Sequence, residues 1–267
     1  MKAPELSYYN IADGIISFST TRHGGCSRGN YGEFNINEYC GDEAEAINKN
    51  RKALAAELGI DADHMIIPHQ THGIETRQIA EDFLSLPENI RKMILEGVDA
   101  VMTNIKGVCV GVSTADCIPI LLYDPEHEAV CAVHAGWRGT VARIVMKAVT
   151  EMRLAYQTKP SDLKAVIGPG ISLDAFEVGN EVYEEFANAN FEMDAISKQM
   201  KVTGTDFEYK WHIDLKECNR RQLLQCGINE ENILVSDVCT YNNVEDFFSA
   251  RRLGTASGRI YSGIIIR

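Results

Sequence analysis

The sequence predicts an α/β domain of α+β character, a mixed β-sheet sandwich flanked by helices. Three observations predict it. Short apolar runs rich in β-branched residues alternate with stretches of helical period along the chain, but not as a regular βαβ repeat. Segments 113–117 and 124–128, which join three successive apolar runs, are too short for the crossover of about a dozen residues that parallel pairing needs. No low-complexity linker or internal repeat divides the chain, so residues 1–267 are read as one domain.

In chain order, Ile15–Thr20 reads as a strand, followed by a glycine-rich turn over 23–32. Ala44–Leu58 reads as a helix closed by Gly59. Residues 65–70 and 74–79 look extended, with H-Q-T-H-G (69–73) at the bend between them. Residues 86–95 read as a helix begun at Ser85 or Pro87, since proline suits a first helical turn. The runs 108–112, 118–123 and 129–133 are short, β-branched and bounded by Asp, Pro, Gly or Glu, as buried strands are. A long helix over about 140–156 sets Val141, Ile144, Val145, Ala148, Val149 and Met152 on one face. A strand at 163–167 ends in G-P-G-I-S (168–172), helices follow at 181–189 and 215–226, and late strands at Ile233–Val235 and 263–266.

Composition narrows the function. Of the 267 residues, 45% are hydrophobic and 24% charged, the usage of a chain that can bury a sizeable core. A net charge of −12 argues against wrapping nucleic acid, which needs a basic face, yet leaves room for small anions held by local arginines. No stretch approaches the roughly 20 apolar residues that span a bilayer, and residues 1–10 lack a basic start followed by an apolar run. A cytoplasmic chain without membrane contact is the expectation. Cys109 and Cys131 fall inside apolar strand patterns and no C-x-x-C occurs, so the eight cysteines are read as reduced.

Three motifs carry the chemistry: H-Q-T-H-G, S-T-A-D-C (113–117) and A-V-H-A-G-W-R-G (132–139). His134 ends a strand just before a helix, a corner where side chains project into a site and anions are favoured; Arg138 sits at the same corner. Cys117 follows Asp116 at the start of an apolar strand. His69 and His72, three apart in an extended segment, face opposite sides, and spacing does not choose between them. If Cys117, His134 and one of these histidines converge, zinc is the natural metal, with water as fourth ligand at a pKa near about 7. The same residues also suit a metal-free nucleophile, Cys117, with His134 as its base. Arg22, Arg28, Asn35 and Asn37 in 17–37, and Arg251, Arg252 and Arg259 in 247–259, surround glycine turns; arginine forks suit phosphate or carboxylate.

Together with F-S-T-T-R-H-G-G-C-S, T-A-D-C-I-P-I-L-L-Y-D, G-P-G-I-S and F-F-S-A-R-R, these motifs resemble the YfiH-like family over about residues 18–259. That family carries the names laccase-domain and multi-copper polyphenol oxidase, and is now usually described as purine nucleoside phosphorylases. The resemblance implies a YfiH-like α/β sandwich, distantly similar to a deamidating bacterial toxin domain with a Cys-His site. It implies a catalytic zinc on His72, Cys117 and His134, and so favours His72 over His69. The implied reactions are phosphorolysis of adenosine, inosine, guanosine and methylthioadenosine, and hydrolytic deamination of adenosine. The expected partners are therefore a small-molecule nucleoside and phosphate. On this reading Cys117 and His134 are catalytic and Asp116 is a candidate proton shuttle. Arg22 or Arg138 helps hold phosphate, and Asn35 the nucleoside. Cys26 and Phe34 stand where the family more often has aliphatic residues, and Ala250 where it has a larger one.

Other functions weighed are a copper polyphenol oxidase, the metal-free cysteine hydrolase, editing of cell-wall precursors, and a non-catalytic nucleotide-binding module. A multicopper centre needs many histidines, usually in H-x-H pairs; this chain has seven and no H-x-H.

Overall fold

In the computed structural model, which describes residues 2–202 and 208–267, apolar strands stack into two facing sheets with helices on both outer sides. Met1, part of the N-terminal stretch read above, lies outside the described residues. The strands are β1 (Leu6–Tyr9), β2 (Ile15–Thr20), β3 (Met65–Ile66), β4 (Glu75–Gln78), β5 (Val98–Thr103), β6 (Cys109–Thr114) and β7 (Ile118–Asp124). They continue as β8 (Ala129–Ala135), β9 (Lys164–Ile167), β10 (Glu177–Val178), β11 (Ser197–Lys201), β12 (Tyr209–Ile213), β13 (Ile233–Val235) and β14 (Ile260–Ile266). The helices are α1 (Ala44–Leu58), α2 (Glu81–Leu84), α3 (Glu88–Ile94), α4 (Trp137–Val141), α5 (Ile144–Tyr156), α6 (Asn180–Asn188), α7 (Met193–Ile196), α8 (Leu215–Gln225) and α9 (Ala250–Leu253).

One sheet has the order β1-β2-β14-β6-β3, the other β13-β9-β7-β8-β5-β4, and β10-β12-β11 forms a small third sheet. The pairs β3–β6, β4–β5 and β9–β13 are parallel and the others antiparallel, so the architecture is mixed, as the short connections predict.

Side-chain alternation divides the core into layers. Val101, Leu121, Val130 and Ala132 of the six-stranded sheet meet Val110, Val112, Ile264 and Ile266 of the five-stranded sheet. Their alternates Ala100, Ile120, Leu122, Cys131 and Val133 face outward onto Ile144, Val145, Ala148, Val149 and Met152 of α5. On the far side Phe18, Cys109, Tyr261 and Ile265 pack against Leu54, Ala55 and Leu58 of α1. The sequence is therefore sandwiched as helix, sheet, sheet, helix. Among the described residues no helix is long and apolar enough to cross a membrane.

Several elements differ from the sequence expectation. The helix foreseen over 140–156 is broken into α4 and α5. Arg143 takes a left-handed conformation (φ 64°), with its guanidinium 3.7 Å over the Phe191 ring and donating to the Ala189 carbonyl. The extended stretch 65–70 narrows to β3, because the chain beyond it leaves the sheet: His69 turns to the Leu95 and Gly97 backbone instead. β5 was not foreseen, since a carboxylate, Asp99, interrupts its apolar pattern. β10, β11 and β12 were not foreseen either, because much of their surface is exposed and polar.

The contact between β6 and β14 is close. A Cβ at Gly111 would stand 2.3 Å from Cζ of the fully buried Tyr261 and 2.7 Å from the Ser262 carbonyl. Gly111→Ala is expected to cost about 1–3 kcal/mol of stability by overpacking. The effect should be read as a lower urea midpoint at unchanged m-value; a wild-type midpoint would contradict this packing.

Candidate active site

Strand register brings the three motifs together. β7 and β8 pair antiparallel with Ile118 opposite Ala135 and Pro119 opposite His134. Cys117, one residue before β7, therefore lies beside Gly136, one residue after β8. On the other side of β8, β5 pairs with Ala100 opposite Val133, which brings Asp99 to His134. The parallel pair β4–β5 matches Glu75 with Val98, so H-Q-T-H-G arrives at this same sheet end.

One ligand atom each from His72, Cys117 and His134 lies within 4.8 Å of the others. His134 is buried, Cys117 half-buried and His72 exposed. The two imidazoles meet edge to face with centroids 4.8 Å apart. Gly136 makes room for the cluster: a Cβ there would lie 3.0 Å from Cδ2 of His72 and 3.1 Å from Sγ of Cys117.

Asp99 organises the site. It is fully buried, and its carboxylate accepts from the backbone N–H of Thr71 (3.2 Å), His72 (3.0 Å) and Gly73 (2.8 Å). Its Oδ1 also pairs with His134 Nδ1 at 2.7 Å. These bonds stabilise the left-handed conformation of His72 (φ 64°), uncommon for a non-glycine residue. Burial works to raise the Asp99 carboxyl, but the His134 imidazole and the loop amides outweigh it and hold it below the ordinary carboxylate range. Burial likewise opposes charge on Cys117 and His134, yet each charged form stabilises the other. The Cys117 thiol is lowered by His134 and then His72, while the His134 imidazole is raised by Cys117 and Asp99.

The triad opens onto a cleft of about 230 Å³, lined also by Asn37, Tyr39, His69, Ser113, Thr114 and Arg259. Gln70 fastens H-Q-T-H-G to the end of β6, donating to the Ser113 carbonyl (2.8 Å) and accepting from the Ser113 N–H (2.7 Å). His69 faces away from the triad's role: its Nδ1 pairs with Glu96 at 2.8 Å and its ring stacks on Tyr39 at 4.0 Å.

The remaining sequence candidates lie elsewhere. Asp116 (φ 87°) accepts from Thr240 Oγ1 at 2.8 Å and from the Arg251 N–H at 2.7 Å, so both carboxylate oxygens hold neighbouring backbone or side chain. Its own carbonyl accepts from Ile171 of G-P-G-I-S, which thus supports the turn carrying Cys117. Arg22 donates to the Gly32 (2.9 Å) and Val244 (2.6 Å) carbonyls. Asn35 is fully buried, bonded to Asp42 (3.0 Å), Asn37 and the Arg259 N–H. Arg138 is exposed, its guanidinium 4.2 Å over the Trp137 ring. None of these four is among the described residues that line the cleft. Sequence reasoning missed Asp99 and Tyr39. The signal for Asp99 was a carboxylate within the apolar run V-D-A-V-M.

This sandwich is the architecture of the YfiH-like proteins. The crystal structure of the Bacillus licheniformis hypothetical protein YfiH matches with TM-score 0.88 and 27% identity, over 99% of this chain and 97% of that one. YlmD of Geobacillus stearothermophilus matches with TM-score 0.82 and 29% identity, over 96% and 93%. The family described as multi-copper polyphenol oxidoreductase laccase matches residues 16–267, and the chain belongs to that family. A Bacteroides thetaiotaomicron relative named purine nucleoside phosphorylase is 46% identical, over 97% of this chain and 93% of its own length. A relative from an unknown prokaryotic organism, named adenosine deaminase RL5, is 41% identical over 97% of each.

Asp99→Ala leaves three loop N–H groups and His134 without their acceptor and is expected to cost about 3–5 kcal/mol. Asp99→Asn keeps the shape but not the charge and should cost about 1–3 kcal/mol. Urea unfolding measures both, and the ¹⁵N shifts of the His134 ring should move in Asp99→Asn. Wild-type stability with unmoved shifts would remove Asp99 from this role.

Proposed function

We propose that the chain is a zinc-dependent purine nucleoside phosphorylase that also deaminates adenosine, with inosine, guanosine and methylthioadenosine as further substrates. The observation that carries this reading is the meeting of His72, Cys117 and His134 on the wall of a cleft. The names of the relatives supply the substrate class.

The donor set fits zinc: one thiolate and two imidazoles, three protein ligands with a position left open. Bound there, zinc would supply a Lewis acid beside the substrate. The lowered Cys117 thiol supports a thiolate ligand. Asp99, bonded to Nδ1 of His134, orients that ring and leaves Nε2 for the metal. We read Asp116 as positioning α9 and the Cys117 turn through Arg251 and Ile171, rather than as the proton shuttle. Arg22 and Asn35 are read as bracing neighbouring loops, and Arg138 as an exposed residue stacked on Trp137. All eight cysteines are free thiols, which fits a reducing cytoplasm. With seven histidines and no H-x-H, a multicopper centre is the poorer fit.

One observation favours a second reading. Asp99, His134 and Cys117 stand in series, the arrangement of a metal-free cysteine hydrolase with Cys117 as nucleophile and His134 as base.

The test is incubation with adenosine, with and without phosphate, alongside metal analysis. Adenine with ribose 1-phosphate only when phosphate is present marks phosphorolysis, and inosine without phosphate marks deamination. About one zinc per chain is expected, as for a three-ligand catalytic site. Cys117→Ala should lose the zinc and both products. Loss of zinc with both activities retained would sink the mechanism, and full activity on a hydrolysable substrate after metal removal would favour the cysteine hydrolase.

A further inference from the structure

We propose that Ser113 and Arg259 form the phosphate subsite of this cleft, an inference that rests on the phosphorylase reading. The cleft is unusual for this chain. Despite a net charge of −12, no carboxylate is among the described residues that line it, and Arg259 is the one arginine or lysine among them. The carboxylates that touch its walls are engaged: Glu96 on His69, Asp99 on His134. Such a surface takes an anion more readily than a cation.

Ser113, Thr114 and Arg259 there have unused donors, and of the two hydroxyls Ser113 is the one on the strand face that Arg259 shares. Ser113 is 6% exposed, and its buried Oγ has no hydrogen-bond partner among the described residues. A buried hydroxyl without a partner is costly unless a ligand completes it. Arg259 directly precedes β14, two residues from Tyr261, which pairs with Ser113 across the sheet. Side chains two apart lie on the same face, so Arg259 is a diagonal neighbour of Ser113, within reach of a long side chain. Its Nη1 donates to the Ser257 (2.6 Å) and Gly258 (3.0 Å) carbonyls, and its Nη2 to the Thr255 carbonyl (2.9 Å). The head is thereby fixed. Of its five N–H donors, the Nε hydrogen and one on Nη2 keep no acceptor among the described residues and are available to phosphate oxygens.

In the reaction, an oxygen of hydrogenphosphate bonds to the anomeric carbon as the glycosidic C–N bond breaks. The bonding pair leaves on the purine nitrogen, the hydrogenphosphate proton ends there, and ribose 1-phosphate and free base result. Ser113 and Arg259 hold the attacking phosphate and stay out of the hydrolytic deamination, which consumes only water.

The experiment compares zinc-loaded wild type, Ser113→Ala and Arg259→Lys. Phosphorolysis and deamination of adenosine are measured over a range of phosphate concentrations, and binding of inorganic phosphate and of AMP by calorimetry. Each variant should lower the ratio of phosphorolysis to deamination by about tenfold or more, through a raised KM for phosphate, the loss expected for one charge-assisted hydrogen bond. Ser113→Ala removes only a hydroxyl, so it keeps the test valid if Arg259→Lys disturbs its loop. Parallel loss of both activities overturns the proposal and makes these residues nucleoside contacts. Binding of AMP without binding of inorganic phosphate also overturns it. If wild type acts on adenosine in neither way yet binds phosphate through Ser113 and Arg259, the phosphorylase reading fails and the anion subsite stands.

Discussion

The candidate site depends on one buried carboxylate. Asp99 lies in a strand whose other residues are apolar or small, and it has no contact with solvent. Moving a carboxylate out of water is costly unless its oxygens are filled with donors. Three loop amides and the His134 ring fill them. The two ends of this arrangement need each other. Without Asp99 the 71–73 loop has no acceptor for three successive N–H groups, and without those groups Asp99 has no reason to stay ionised inside a sheet. His72 and His134 belong to separate segments, yet both take their orientation from the same two oxygens. The protein therefore assembles the histidines through its own hydrogen bonds, and a cluster held in advance would lose less entropy on meeting a ligand.

Register does the rest. Adjacent antiparallel strands β7 and β8 put the residue before one beside the residue after the other, which is why a Cys from T-A-D-C and a His from V-H-A-G come together. That convergence was legible in outline, since both motifs flank apolar runs joined by a short connection. What the runs could not tell was that β5, not β7 alone, borders β8. The Asp that completes the site also breaks the apolar pattern that would have announced its strand. Hydrophobic periodicity fails where a strand carries a functional polar group inward, for the physical reason that the group is buried against the trend. The break between α4 and α5 was hidden for a similar reason. Arg143 satisfies helical spacing, but its cation–aromatic contact with Phe191 and its bond to Ala189 come from a segment far along the chain.

The choice of His72 over His69 shows where spacing ends and environment begins. The two imidazoles are three residues apart in one loop, and period alone treats them alike. His69 stacks on Tyr39 and pairs with Glu96, so its ring is already engaged on the outer wall. His72, turned by its left-handed backbone, is the one brought to Cys117 and His134. Neither Tyr39 nor Glu96 is near His69 in sequence, so no local pattern carries the distinction.

Arginine shows the same ambiguity in a form that donor accounting can resolve. Glycine-rich loops leave backbone carbonyls outside any ladder, and those carbonyls need donors. A guanidinium in such a loop can serve them or a ligand, and both uses look identical in sequence. Arg22 gives its Nε and Nη1 to the Gly32 and Val244 carbonyls, joining two loops. Arg259 also braces its loop, but through Nη1 and one hydrogen of Nη2, which leaves Nε without an acceptor among the described residues in a side chain that lines the cleft. The same residue thus meets both demands at once: the loop carbonyls fix the head, and the fixed head presents what remains. An arginine anchored in this way loses little side-chain entropy on meeting an oxyanion, whereas Arg138, exposed and held among the described residues by its stack on Trp137, must be ordered at the moment of binding. That difference in anchoring, more than position in a motif, distinguishes the two arginines.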